Sequence, residues 1–185
     1  MKKIVLPILM ALCLLGFQEA NAQIDLTVNP VGALFGDFNI GADFGLSRNF
    51  SVEAQVGVGI NKIADVKGFN IPVNVVGKYY LSPNRGADRF YVDAFLRFIN
   101  RNWNYNAGSG NADYTSTRIG IGFGLGYKIV AAKGFVFDIG LGAGRALVTN
   151  NKFNDSNGNQ QELDWPNVMI IGKFGIGYRF GGSKD

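Results

Sequence analysis

Apolar positions alternate with polar or small ones along most of this chain, a period of two that marks strands with one greasy face. Eight such segments run over approximately 24–35, 38–47, 50–61, 69–81, 89–100, 115–130, 134–148 and 168–180. In the second, Phe38, Ile40, Ala42, Phe44 and Leu46 share a face against Asn39, Gly41, Asp43, Gly45 and Ser47. The sixth sets Ile119, Ile121, Phe123, Leu125 and Tyr127 against Arg118, Gly120, Gly122, Gly124, Gly126 and Lys128. Soluble strands usually run ~5–6 residues, about half the length of these segments. A tilted membrane-crossing strand needs ~9–11 residues, and every segment reaches that. Hydrocarbon tolerates no unpaired sheet edge, so such a sheet must close. The pattern predicts an all-β chain, an eight-stranded antiparallel up-and-down transmembrane β-barrel over residues 23–180. A soluble sheet, which also alternates, is the competing reading.

Connector lengths assign a direction. Ser47-Arg48-Asn49, the Ser82–Asp88 turn and Ala131–Lys133 are short and predicted to face the periplasm with both termini and a short tail, 181–185. Gly36-Asp37, Lys62–Gly68, Arg101–Tyr114 and Thr149–Asn167 alternate with them, and the last two are long, Asn- and Gly-rich loops expected outside. Phe50, Phe90, Tyr127, Phe135, Tyr178 and Phe180 then fall at the inner rim. Phe69, Phe98, Trp103, Tyr114 and Trp165 fall near the outer one, a pair of aromatic girdles.

The amino end adds an address. Lys2 and Lys3 precede an uncharged apolar run from Ile4 to Phe17, and Ala20-Asn21-Ala22 has the small-x-small form of a cleavage site. Residues 1–22 therefore read as a cleaved signal peptide, with the mature chain starting at Gln23. Cys13 would leave with the leader. Lipidation there is disfavoured because Leu12 precedes it where a small residue is needed. The mature chain then has no cysteine to form a disulfide.

Composition closes several routes. Removing Lys2, Lys3 and Glu19 takes the formal charge from +4 to +3, too mild and too scattered to suggest nucleic acid. Abundant glycine disfavours a helical domain. The longest charge-free mature runs, 26–36 and 102–112, are too short for a membrane helix. Histidine is absent altogether, which with the lost cysteine removes the usual bases, nucleophiles and zinc ligands. No catalytic residue, metal or cofactor is expected. The Gly120–Gly126 and Gly140–Gly144 runs repeat at two, not as Gly-x-Gly-x-x-Gly, and read as room for large neighbours across a narrow lumen. Asn154-Asp-Ser-Asn-Gly158 fits a calcium loop poorly, because Phe153 would take the first ligand position.

The last strand carries a resemblance. In Lys173-Phe-Gly-Ile-Gly-Tyr-Arg-Phe180, the residues Lys173, Gly175, Tyr178 and Phe180 resemble the carboxy-terminal assembly signal of bacterial outer-membrane barrels. The mature chain as a whole resembles the small eight-stranded barrels of the OmpA/OmpX/OmpW type. Ile24-Asp-Leu-Thr-Val-Asn-Pro-Val-Gly and Lys78-Tyr-Tyr-Leu-Ser-Pro are similar to an uncharacterised branch of that group. The resemblance implies the bacterial outer membrane as location, with its lipid and lipopolysaccharide as surroundings and the barrel-assembly machinery as a partner in biogenesis. Only five residues follow Phe180, so no peptidoglycan-gripping domain is expected.

Charges on the polar face form one constellation: Asp43, Glu53, Asp93 and Asp138 with Lys78, Arg97, Arg118, Lys128, Lys173 and Arg179. An eight-stranded barrel is just wide enough for side chains to fill it, so these charges are expected to pair and seal the lumen. A narrow conduit favouring small anions is the alternative. Arg145 breaks the alternation. It points to lipid near the external rim, where it could reach a lipopolysaccharide phosphate, or a bulge turns it inward. The expected function is non-enzymatic, structural or surface-interactive through the external loops, with Trp103, Tyr105, Tyr114 and Trp165 as adhesive aromatics. A pore for small solutes is the alternative.

Overall fold

The computed structural model describes residues 23–63, 66–107, 110–154, 160–162 and 166–181. Its elements are β1 (Gln23–Val28), α1 (Pro30–Leu34), β2 (Asp37–Gly45), β3 (Phe50–Ile63), β4 (Val66–Tyr80), β5 (Arg89–Ala107), β6 (Gly110–Val130), β7 (Phe135–Asn154), β8 (Gln160–Glu162) and β9 (Val168–Phe180). β1 to β7 pair in sequence order, all antiparallel. β9 pairs with β7 on one side and β1 on the other, closing a ring of eight strands. Three-residue β8 merely extends the far end of β7, through Lys152↔Glu162.

The ring is inside out by the standards of a soluble domain. Phe38, Val58, Leu96, Phe123, Leu141 and Ile170 lie on its outer face with more than a third of their surface exposed. Asp25, Asp43, Glu53, Lys78, Lys128, Asp138 and Arg179 are buried within. On β5, β6 and β7 the apolar face has a sharp upper margin. Phe98, Ile119 and Val148 stand in one register row across β5, β6 and β7, and the next outward row is Asn100, Thr117 and Asn150. On β5 the outward apolar positions run from Phe90 to Phe98, and on β6 from Ile119 to Ile129.

Three sequence expectations need correction. The first segment, read as strand over 24–35, ends at Val28; Asn29 then caps α1, its Oδ1 accepting from the Gly32 amide at 2.8 Å, with Pro30 in the first turn. That Asn-Pro pair is an ordinary helix start, which the apolar alternation masked. The regions expected as long loops, Arg101–Tyr114 and Thr149–Asn167, are largely strand where they are described, because β5, β6 and β7 run 19, 21 and 20 residues. Thirdly, the outer girdle is smaller than expected. Phe69 and Phe98 face outward, but Trp103 lines the lumen mouth. Tyr114 shares the inward face with Ser116 and Arg118, donating its hydroxyl to Asn151 at 3.3 Å. Trp165, the side chain of Tyr105, the 155–159 part of the calcium-like loop and the whole leader lie outside the described residues.

The inner-rim aromatics Phe50, Phe90, Tyr127, Phe135, Tyr178 and Phe180 are all outward and exposed. The short β4–β5 turn does more than connect. It folds across the terminal end of the barrel, burying Gly86, Ala87 and Asp88. Gly86 sits at φ 79°, and a Cβ there would come within 2.1 Å of the Gln23 side chain. Only glycine meets both demands.

Candidate functional site in the barrel lumen

A charge cluster fills the lumen toward the terminal end. Each member sits on an inward strand position, so the two-residue period alone delivers them to one axis. Lys78, on β4, is the centre: its Nζ lies 2.7 Å from Asp43, 2.7 Å from Glu53 and 3.0 Å from Asp138, which come from β2, β3 and β7. Lys173 on β9 bridges Glu53 and Asp138, the latter at 2.6 Å. Lys128 on β6 joins Asp43 to Asp25, the latter at 2.9 Å. Arg179 grips Asp25 with two nitrogens, at 2.6 and 2.7 Å. Its guanidinium also donates to the carbonyls of Arg85 and Ala87, tying down the turn that covers the end.

Four carboxylates thus meet four cations, and the ion-paired set is neutral. Two tyrosines complete it. Tyr91 donates to Asp138 at 2.8 Å, and its ring stacks edge-on with Tyr80 at 5.4 Å. Lys78 lies 5.0 Å over the Tyr91 ring and Lys128 5.3 Å over that of Tyr80, cation–π contacts that help hold desolvated ammoniums. Asp43, Glu53 and Asp138 offer oxygens within 4.8 Å of one another, a spacing a metal ion could bridge. The Lys78 ammonium contacts all three, so the chain supplies its own cation there.

Seven of the ten charges expected in the lumen network meet in this cluster. Asp25 is the member sequence reasoning missed, though its place opposite Arg179 in the last strand's pairing could have shown it. Asp93 is half-buried opposite Lys78 in the β4–β5 pairing but forms no ion pair among the described residues; a Cβ on Gly124 would come within 2.7 Å of its carboxylate. Arg97 and Arg118 stand apart near the far end, with Arg101 beside them. Among the described residues none of these three arginines forms an ion pair.

Glycines make the filling possible. A Cβ on Gly122 would lie 2.3 Å from the Phe95 ring, on Gly126 2.3 Å from the Tyr91 hydroxyl, and on Gly120 2.2 Å from the Met169 sulfur. The β6 stripe is therefore room for large side chains crossing from β5 and β9. Above the cluster the lumen opens into a cavity of about 360 Å³, reached from the far end and lined by Asn39, Asn70, Asn74, Arg97, Arg101 and Trp103 among others.

The remaining candidates have clear positions. Lys173 and Gly175 face inward, Gly175 against Thr27. Tyr178 and Phe180 face outward with ring centres 5.1 Å apart. Arg145 faces outward too, paired with Ile121 and Val168, one outward row below the apolar margin. A β-bulge exists, but its extra residue, Leu147, comes after Arg145 and does not turn it inward.

The chain matches no curated protein and no solved structure. A family model covers residues 6–178, nearly the whole length, and by that match the chain belongs to the family described as "Protein of unknown function (DUF3575)".

Proposed function

We propose that this protein is a non-enzymatic β-barrel of the bacterial outer membrane, sealed to ions, which presents a β-ribbon collar and a polar vestibule to the outside. One observation carries the reading: on β5, β6 and β7 the exposed apolar belt ends in a single row at Phe98, Ile119 and Val148. From Phe90 to Phe98 and from Ile119 to Ile129 its length agrees with the ~9–11 residues of a tilted membrane strand. The apolar outer face would be a large aggregation hazard in water and is the expected surface in lipid.

The finer resemblance to OmpA/OmpX/OmpW-type barrels, the export signal and assembly through Lys173, Gly175, Tyr178 and Phe180 belong to the same proposal. β5, β6 and β7 are about twice the length needed to cross the membrane, so their far halves stand outside as a polar ribbon. This collar is the surface for envelope or extracellular contacts. Arg145, just inside the margin, reaches up to lipopolysaccharide phosphate.

The neutral, mutually paired cluster favours a seal over a pore. Its carboxylates and ammoniums are each other's counter-ions, and an open water column would need them separated. Folded protein reconstituted into lipid vesicles tests the membrane reading. Protease should cut the collar and leave a protected, heat-modifiable barrel. Recovery of the folded chain in the aqueous fraction would overturn it.

A further inference from the structure

We propose that the vestibule at the open end of the lumen is a binding site for a phosphate group, held by Arg97 and Arg101, which line it, with Arg118 buried beside them. On β5, Arg97 and Arg101 flank Ile99 on the inward face, and Arg118 on β6 stands directly opposite Ile99. Arg118 is thus the diagonal neighbour of both, a relation that places Cβ atoms about 7 Å apart. Of the three, Arg97 and Arg101 line the cavity and can share one group, while Arg118 adds its positive charge from behind them.

Among the described residues none of the three has an ion-pair partner. Arg118 is only 8% exposed, and its Nε is buried with no hydrogen-bond partner. Arg97 makes one long contact, 3.4 Å to the carbonyl of Ile170. The nearby acid, Asp37, forms no ion pair with them and instead accepts from Asn70 at 3.2 Å. Burying a cation without a counter-ion is costly. A solvated glutamine or leucine would serve a merely structural role better, so the arrangement is suited to an anion supplied from outside.

Size and chemistry narrow that anion. The cavity, about 360 Å³, lies at the small end of the range for small-molecule sites. A lone carboxylate satisfies one guanidinium fork, whereas a phosphate's three terminal oxygens can be shared among several. Asn70 and Asn74 line the same wall and could hydrogen-bond a polar body attached to the phosphate. The site rests on the barrel fold, and its test uses folded protein in detergent, so it stands or falls separately from the conductance reading.

Trp103 lines the cavity and is one of two tryptophans in the chain. In a Trp165→Phe background its emission reports occupancy. Inorganic pyrophosphate, titrated against sodium chloride at equal ionic strength, should give a saturable change. Arg97→Gln and Arg101→Gln should each weaken it at least tenfold, and Arg101→Lys should recover part of it. Lys152→Gln removes an outward-facing charge on the same end and should change nothing. A saturable response to dispersed phosphatidic acid but not to pyrophosphate would assign the same arginines to a lipid headgroup's phosphate. No saturable response to either, or an unaltered one in both glutamine variants, would overturn the proposal.

Discussion

Asp25 and Arg179 stand directly opposite each other where the last strand closes on the first, joined by two hydrogen bonds of 2.6 and 2.7 Å. The ring is therefore latched by a bidentate, buried ion pair at its one non-sequential seam. Arg179 extends the latch to the β4–β5 turn through the carbonyls of Arg85 and Ala87. Breaking a buried pair from one side leaves a stranded charge and costs about 3–5 kcal/mol. Asp25→Asn should lower unfolding stability by that amount in urea titrations of vesicle-embedded protein. A loss under about 1 kcal/mol would mean that the seam is held by backbone pairing alone.

Lys78 is the common partner of Asp43, Glu53 and Asp138, so its effect should be coupled to theirs. Lys78→Met should destabilise by about 3–5 kcal/mol. In a Glu53→Gln background the same change should cost at least about 1 kcal/mol less, as expected of residues in one ion-pair network. Strict additivity would show that the pairs act independently.

The glycine stripe gives a matched comparison. An added methyl on Gly122 would meet the Phe95 ring at 2.3 Å and the Ala143 carbonyl oxygen at 2.4 Å, and backbone cannot step aside. Gly172, outward on β9, has nothing within 4 Å of the same methyl. Gly122→Ala should cost about 1–3 kcal/mol or more, as overpacking does. Gly172→Ala should change stability by less than about 0.5 kcal/mol. Equal effects would contradict a closely filled lumen.

Arg118 should show the opposite sign. Its guanidinium is buried without a counter-ion, and removing an uncompensated buried polar group relieves about 1–3 kcal/mol. Arg118→Met should therefore raise the unfolding midpoint in phosphate-free buffer. A fall would indicate that the arginine is structurally satisfied.

The strands and their faces were legible because one physical rule, the alternation of side chains across a pleat, governs both period and inside–outside sorting. Thus Asp43, Glu53, Lys78, Lys128 and Asp138 could be placed on one face from the sequence. Depth was not legible. Nothing in local pattern separates Asp138, a member of the cluster, from Arg97, which stands outside it, since closure brings residues far apart in sequence to one level. The long polar stretches after Phe98 and Val148 looked like loops because their outward residues are Asn, Thr and Lys. Their backbone pairing continues regardless, as β-ribbon needs no apolar face once outside the belt. Likewise α1 hid within an apolar run whose only breaker was Asn29-Pro30.

Whether the cluster seals the lumen is the central claim, and conductance tests it most directly. Protein that shows the heat-dependent gel shift of a folded barrel should be inserted into a planar bilayer. The account predicts no steady current for the native chain and small, fluctuating openings once Lys78→Met breaks the centre. A stable ohmic current through the native protein, lowered by Arg97→Ala or Arg118→Ala, would contradict the seal and make the barrel a pore.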